Sequence, residues 1–345
     1  MRSAPPAGSC DAPAAVFPAA CLPPMSHGRS ASVPPRPFQA FTSPTKESVM
    51  PIVPLSKLLK HASDNHYAVG AFLSMNVEVM QATIAAAEAK RSPVVIRIHP
   101  TVRAATRFDT LGTVARHLAA EATVPVGLSL DHGETLGDTI DAIRAGCTAV
   151  MLDGAEMSLD DNIRAVREVV TAAAPLGVMV EAAIGNMEHG AVQTEDDLAN
   201  VADSVRLIRE SGATILAPAI GNVHGVAHGG GAKAKPNLAI ERIAELRKAT
   251  GVPICMHGGS GTPPEQMKAA TRAGVAMVIM FTDIVTAFNR ALKAVLNANA
   301  DGIDIINALV PAQKAAQAVI EGKMEDLGSA GQSDSFLDWY NGKTS

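Results

Sequence analysis

Three histidines that lie far apart in the sequence share one local setting, the end of a short apolar run. They are His132, His224 and His257, and each is followed directly by glycine. Three imidazoles with one open coordination position are what a catalytic Zn²⁺ requires. Any one of these residues alone is more simply explained as a hydrogen-bonded loop histidine. The repeated setting favours a single metal site with one zinc ion per chain.

Asp131 directly precedes His132. Neighbouring residues at the end of a strand point in different directions, so one side chain can bind a metal while the other faces a substrate. A carboxylate beside a dication keeps a low pKa and can exchange a proton with a substrate hydroxyl. The alternative is that Asp131 only orients a histidine ligand.

A glycine-rich turn, Gly258-Gly259-Ser260-Gly261, follows the third histidine and precedes a helical stretch. Backbone N–H groups in such a turn can converge on an anion. Thr282, at the end of a later apolar run, can add a hydroxyl. If the chain forms a barrel of parallel strands, these loops lie where such barrels usually bind phosphate. We therefore expect a phosphorylated substrate near Gly258, Ser260 and Thr282.

The elements that position these residues are eight short apolar runs separated by amphipathic stretches of helical period. Near-continuous hydrophobicity is typical of parallel strands that are buried on both faces. The predicted strands are 68–72, 94–98, 124–130, 149–153, 178–183, 215–220, 252–256 and 277–281. Their number and spacing predict an α/β fold, a (β/α)₈ barrel, although a doubly wound sheet is the alternative. In a barrel the three histidines would meet at its C-terminal face.

The two ends of the chain differ from this body. Residues 1–49 are rich in Pro, Ala and Ser and have no core-forming period. They are a disordered tail, a transit peptide, or translated sequence upstream of a start at Met50, and we favour the third. We assign residues 50–332 to the barrel, with an extra N-terminal helix at 55–64 and a C-terminal helical extension. Residues 333–345 are expected to form a C-terminal tail.

The bulk composition excludes several classes of partner. The 345 residues carry a net charge of −5, and no basic run is present, so we expect neither a nucleic-acid nor a membrane partner. The longest apolar runs, such as 276–281, are too short to span a bilayer. The four cysteines form no CxxC pair, which suits a reducing compartment and a cytoplasmic location.

Several motifs together resemble the class II ketose-bisphosphate aldolases, whose members include fructose-bisphosphate, tagatose-bisphosphate and deoxyphosphogluconate aldolases. The resemblance extends from about residue 52 to residue 332, with the motifs in the order that the family has. The motifs are Tyr67–Phe72, Leu130–Gly133, Met151–Gly154, Gly221–Gly225, His257–Gly261 and Leu327–Gly331.

This resemblance implies a function for each part of the site. It makes His132, His224 and His257 the zinc ligands and Asp131 the residue that exchanges a proton at the carbon–carbon bond. It places Gly225, with Gly258, Ser260 and Thr282, around a phosphate, and it implies a monovalent cation nearby. It also implies a phosphorylated sugar as substrate and a homo-oligomeric assembly.

The sequence departs from the family pattern where substrate hydroxyls are usually contacted. Ala183 replaces a second glutamate after strand five, and Ile279 replaces an asparagine in strand eight. Leu73 replaces another asparagine, and His99 and Ala155 each replace a serine. Since the metal and phosphate residues are present, we expect an aldolase-type lyase with altered specificity.

Two other functions compete with this one. A metal-dependent hydrolase on the same barrel commonly has a His-x-His pair on strand one, which Ala71-Phe72-Leu73 does not supply. A non-catalytic relative that binds sugar phosphates is favoured by the loss of the asparagine and the glutamate. Zinc content and aldol cleavage distinguish the three possibilities.

A protein that begins at Met50 should match the full chain in melting temperature and in catalytic rate, because residues 1–49 show no pattern that could form a core. Thermal unfolding and steady-state kinetics of the two proteins test this. A Tm several degrees lower in the shorter protein would show that the first 49 residues pack against the rest.

Overall fold

Eight parallel strands close into a barrel. The computed structural model describes residues 52–185, 194–223, 236–299 and 302–343. Each strand pairs with its neighbours along the chain, and β8 pairs with β1. The strands are β1 (Val69–Leu73), β2 (Val94–Ile98), β3 (Val126–Leu130), β4 (Ala149–Leu152), β5 (Met179–Ile184), β6 (Ile215–Pro218), β7 (Ile254–Met256) and β8 (Val275–Met280). The predicted (β/α)₈ barrel is confirmed, and the predicted strands lie at the observed positions to within two residues.

Helices connect the strands and extend the barrel at both ends. In the described part of the chain they are α1 (Leu55–Asp64), α2 (Val77–Lys90), α3 (Phe108–Glu121), α4 (Leu136–Ala145), α5 (Leu159–Ala173), α6 (Val201–Ser211), α7 (Ile240–Thr250), α8 (Pro264–Ala273), α9 (Thr282–Ala298), α10 (Ile305–Asp326) and α11 (Gln332–Tyr340). The extra N-terminal helix is α1, and the C-terminal extension is α10 and α11. No helix among these residues is long and apolar enough to cross a membrane.

Local sequence sets the helix boundaries, as α4 shows. Thr135 accepts a hydrogen bond from the backbone N–H of Asp138, and the Asp138 carboxylate accepts one from the N–H of Thr135. This reciprocal cap satisfies donors that the first helical turn leaves unpaired. Gly146 ends the helix in the left-handed conformation, with φ of 100°, which glycine adopts without steric cost.

The core has two parts, one between the strands and the surrounding helices and one inside the barrel. The inner part contains strand alanines of small volume, among them Ala71, Ala149, Ala183 and Ala217, together with larger side chains from β2, β6 and β8. Arg97 of β2 and Glu181 of β5 are also buried, with 0% and 1% of their surface exposed. Charged residues at this depth must be paired, so this end of the barrel interior is where chemistry is to be expected.

Residues 333–345 were expected to be a tail, and the structure corrects this expectation. Residues 332–340 form α11, in which Phe336 is fully buried. Its ring packs edge-on against His61 of α1 at a centroid distance of 5.4 Å. Ser335 Oγ also lies 3.2 Å from His61 Nε2. Phe336 and Trp339 are three residues apart in α11, so both lie on the face of this helix that covers α1. Residues 1–49, assigned to a separate segment, lie outside the described residues.

Replacing Phe336 with alanine should lower the free energy of unfolding by about 3–5 kcal/mol, the usual loss for a buried aromatic residue. Leu176→Ala is the control, because Leu176 is 64% exposed and should change stability by less than about 0.5 kcal/mol. Urea denaturation of both variants provides the measurement. Equal stability of Phe336→Ala and the parent protein would mean that α11 contributes nothing to the fold.

Candidate active site

The ends of β3, β4, β5 and β7 bring five polar residues together at one mouth of the barrel. Asp131 and His132 follow β3, Asp153 follows β4, Glu181 lies in β5, and His257 follows β7. Ligand atoms of Asp131, His132 and His257 all lie within 4.8 Å of one another. The structure therefore brings together three of the residues predicted for the site. The predicted metal ligand His224 and the predicted phosphate-binding Gly225 lie outside the described residues.

His132 adopts a backbone conformation that is unusual for a residue with a side chain. Its φ is 40°, in the left-handed region, and such strain is often found where function fixes a side chain. The following residue must be glycine, because a Cβ at Gly133 would lie 2.6 Å from the carbonyl oxygen of Met151. This turn directs Asp131 and His132 to different positions, with Asp131 Oδ1 4.0 Å from His132 Nε2.

Each histidine is held by a carboxylate through one ring nitrogen. His132 Nδ1 lies 2.6 Å from Asp153 Oδ2, and His257 Nε2 lies 2.7 Å from Glu181 Oε1. When a carboxylate accepts a hydrogen bond from the N–H of a neutral imidazole, the other ring nitrogen carries the lone pair that binds metals. His132 therefore offers Nε2, and His257 offers Nδ1.

Asn222 fixes the loop between β6 and the predicted ligand His224. Its side-chain N–H₂ donates to the carbonyl oxygen of His257 at 3.1 Å, and its Oδ1 accepts from the N–H of Ile220 at 2.9 Å. Asn222 is fully buried, so it joins the ends of β6 and β7.

Arg97 is a buried charged residue of the site that the sequence analysis did not predict. Its Nε donates to Asp131 Oδ1 at 2.6 Å. Nη1 and Nη2 donate to the two oxygens of Glu181, at 2.8 and 3.1 Å. The available signal was a single charged residue within the apolar strand β2. Because side chains alternate along a strand, Arg97, two positions after Val95, points inward as Val95 does.

The charges at this mouth stabilise one another. Burial raises the pKa of the Asp131 carboxyl, but Arg97 and the neighbouring histidines outweigh burial and hold that pKa well below its usual range. The same competition lowers the pKa of Glu181 to about 2, with Arg97 and His257 as the opposing groups. Burial lowers the pKa of His132, but Asp131 and Asp153 outweigh it and raise the pKa overall. The three acidic side chains Asp131, Asp153 and Glu181 are thus carboxylates at neutral pH.

The loop predicted to bind phosphate lies against the start of α9. Ser260 Oγ accepts hydrogen bonds from the N–H groups of Phe281 and Asp283, at 3.3 and 3.2 Å. The N–H of Gly261 donates to Asp283 Oδ2 at 3.0 Å. Gly258 has a φ of 68°, and Thr282 is the first residue of α9. The loop has the predicted position, and its binding of phosphate stays a prediction.

The residues that differ from the family pattern line the same end of the barrel. His99 Nδ1 accepts the N–H of Thr101 at 3.1 Å, and the His99 ring lies 5.7 Å from the His132 ring. Ile279 is 5% exposed and belongs to the inner core. Leu73 lines an apolar cavity of about 140 Å³ together with Phe281. Ile279 and Leu73 thus contribute apolar side chains at this end of the barrel, whereas His99 contributes an imidazole.

The donor set fits a divalent transition metal. Two imidazoles and a carboxylate offer ligand atoms close together, and nitrogen with oxygen ligands suits Zn²⁺. The carboxylates on the far side of both rings are the orienting groups that metal-binding histidines usually have.

Comparison with known proteins gives one consistent result. The family model for class-II fructose-bisphosphate aldolase matches residues 53–332. The 6-phospho-5-dehydro-2-deoxy-D-gluconate aldolase of Halalkalibacterium halodurans is 34% identical, with 82% of this chain and 98% of that protein covered. The probable fructose-bisphosphate aldolase of Bacillus subtilis is 33% identical, with 82% and 100% covered. The crystal structure of the YdjI aldolase from Escherichia coli K12 superposes with a TM-score of 0.73 at 28% identity, with 82% and 99% covered.

Asp153→Asn should weaken zinc binding by roughly 10- to 100-fold, because the amide cannot hold the His132 ring as a carboxylate does. Asp109→Asn is a matched control, since Asp109 contacts the exposed Arg107 instead. Competition with a chromogenic chelator measures the affinity of both variants. Unchanged affinity in Asp153→Asn would remove Asp153 from the support of the metal site.

Proposed function

The chain belongs to the class-II fructose-bisphosphate aldolase family and is an aldehyde-lyase, and we propose that it is a zinc-dependent aldolase acting on a phosphorylated ketose or related aldol other than fructose 1,6-bisphosphate. The observation that carries this proposal is the convergence of Asp131 with His132 and His257 at the mouth of the barrel. This proximity supports a site in which a proton-transfer group lies beside two of the proposed imidazole ligands.

The proposed ligands are His132, His224 and His257, with one zinc ion per chain. Zinc held there would polarise the substrate carbonyl and stabilise the negative charge that develops when the carbon–carbon bond breaks. The chain's own contribution is to present each ring in one orientation, through Asp153 for His132 and Glu181 for His257.

Asp131 is the proposed proton carrier. Its carboxylate is nearly fully buried and ionised, so it can accept the proton of the substrate hydroxyl as the carbon–carbon bond breaks. In the reverse direction it returns that proton to the oxygen of the aldehyde. Arg97 binds Oδ1, which leaves Oδ2 as the oxygen that exchanges the proton.

The proposed specificity follows from the apolar residues at the mouth. Ile279 and Leu73 offer no hydrogen-bond donor or acceptor from their side chains, and Ala183 supplies no carboxylate. A substrate hydroxyl buried against them without a partner would lose roughly 1–3 kcal/mol. A less hydroxylated donor, such as a 2-oxo acid, is better suited. The relatives at 34% and 33% identity have different substrate names, so identity alone does not select the substrate.

The phosphate group of the substrate is proposed to bind at Gly225, Gly258, Ser260 and Thr282, with a monovalent cation nearby. A homo-oligomer is proposed as the assembled form. All of these assignments are proposed from the family. The glycine-rich turn after β7 supports the phosphate-binding site.

His224→Ala should remove both zinc and activity, because the loss of one of three proposed ligands leaves only His132 and His257 to hold the ion. Elemental analysis of the parent protein should give about one zinc per chain. A variant that keeps its full zinc content would exclude His224 as a ligand.

Asp131→Asn should lower kcat by roughly 10²- to 10⁴-fold while zinc content and KM change little, since the amide cannot accept the proton. Steady-state kinetics and metal analysis of the same preparation measure both quantities. A mainly orienting role would appear instead as weaker zinc binding. Equal rates in the two proteins would dismiss Asp131 as the proton carrier.

The parent protein should cleave fructose 1,6-bisphosphate poorly and another aldol better. A panel of ketose phosphates and 2-oxo acid aldols, compared by kcat/KM, identifies the substrate. A best value for fructose 1,6-bisphosphate near roughly 10⁴ M⁻¹s⁻¹ or above would contradict the specificity argument. Zinc binding without cleavage of any aldol would favour a sugar-phosphate-binding protein.

A further inference from the structure

Arg97 contacts two carboxylates of the site at the same time. Its Nε binds Asp131, the proposed proton carrier, and its two terminal nitrogens bind Glu181, which in turn holds His257. We propose that Arg97 is the positioning residue of this site: one guanidinium fixes the Asp131 carboxylate and, through Glu181, the ring of the metal ligand His257. The Asp131 part of this inference rests on the proposed function, and the His257 part requires only metal binding.

The contact geometry supports a positioning role. A guanidinium is a rigid planar fork of donors, so two carboxylates bound to its different edges are fixed relative to each other. Arg97 and Glu181 form a two-bond contact at 2.8 and 3.1 Å, and the Asp131 contact is the shortest of the three at 2.6 Å. With Arg97 fully buried, no solvent competes for these bonds.

The position of Arg97 in the barrel explains why its contacts extend in two directions. It lies in β2, next to β3, which leads to Asp131, and across the barrel interior from β5, which carries Glu181. The fourth contact is with Met151 Sδ of β4, at 3.2 Å from Nη2. The side chain therefore crosses the interior, where the alanines of the inner core contribute little volume.

The alternative role is that Arg97 only neutralises buried negative charge and so stabilises the barrel. The two roles differ in what happens to a folded, zinc-saturated protein. If Arg97 only stabilises the fold, its replacement lowers Tm. If Arg97 positions the Asp131 carboxylate, its replacement lowers kcat in the folded protein. A misplacement of a reacting group by about 1 Å can cost on the order of 10² in rate.

Arg97→Lys distinguishes these roles, because lysine keeps the positive charge and loses the planar fork. We expect kcat at saturating zinc to fall by roughly 10- to 100-fold while KM changes by less than about threefold. Met151→Leu is the matched control, since it removes only the sulfur contact and keeps the core volume. Its kcat should stay within about twofold of the parent protein. A kcat for Arg97→Lys equal to that of the parent would overturn the proposal.

The combination with Asp131→Asn tests whether Arg97 acts through Asp131. If it does, adding Arg97→Lys to Asp131→Asn should lower kcat by less than about threefold further, because the group that Arg97 aims is already inactive. The same fold-loss in both backgrounds would show an effect that is independent of Asp131 and would overturn the Asp131 part of the inference. If Arg97→Lys does not fold, Arg97→Gln replaces it, since glutamine keeps a planar hydrogen-bonding group but loses the charge and the fork of the guanidinium.

Zinc affinity provides a readout that does not depend on catalysis. Arg97→Lys should weaken zinc binding by roughly 10-fold or more by loosening Glu181 and hence His257, and Met151→Leu should not. Unchanged affinity would overturn the His257 part of the inference. If the parent protein cleaves no aldol, the proposed function fails, and this measurement still decides whether Arg97 supports the metal site.

Discussion

The site depends on the compensation of charge inside a closed barrel. Asp131, Asp153 and Glu181 are carboxylates in or near the barrel interior, and the guanidinium that binds two of them is Arg97. Among these four described side chains, one positive and three negative charges leave two negative charges when the imidazoles are neutral. A dication at the histidines would balance this excess, because a bound metal ion is usually the largest local charge in its site. The buried charges that would be costly in an apolar core are therefore consistent with the proposed metal site.

The barrel and most of its boundaries followed from the sequence, because the relevant signals are local. Apolar runs of β-branched residues marked the strands, and glycines such as Gly146 and Gly212 ended the helices where they were expected. Phe336 and its helix were missed because the segment is short and the surface that buries it belongs to α1, nearly 280 residues earlier in the chain. A pattern within one segment carries no information about such a distant partner.

The sequence indicated the candidate metal ligands but not the residues that hold them. Histidines before glycine at strand ends have a recognisable chemistry, so His132 and His257 could be proposed as ligands before the fold was known, and the structure brings them close together. The role of Arg97 depends on which face of β2 points inward and on what β3 and β5 place opposite to it. The second nitrogen of each histidine ring is likewise assigned by Asp153 and Glu181, whose contacts arise only when the barrel closes. The contacts of such supporting residues are set by topology, so the single charge in β2 can mark Arg97 in the sequence but does not show what it binds.

The contact between α1 and α11 bears on how the chain is made. A ribosome makes α1 before the eight strands and α11 after them, so the surface of α1 that receives Phe336 lacks its cover until every strand has been synthesised. Apolar surface exposed for that time can bind chaperones or start aggregation. The late cover on α1 therefore makes α11 a point at which a destabilising change would expose the chain to the cell's quality control.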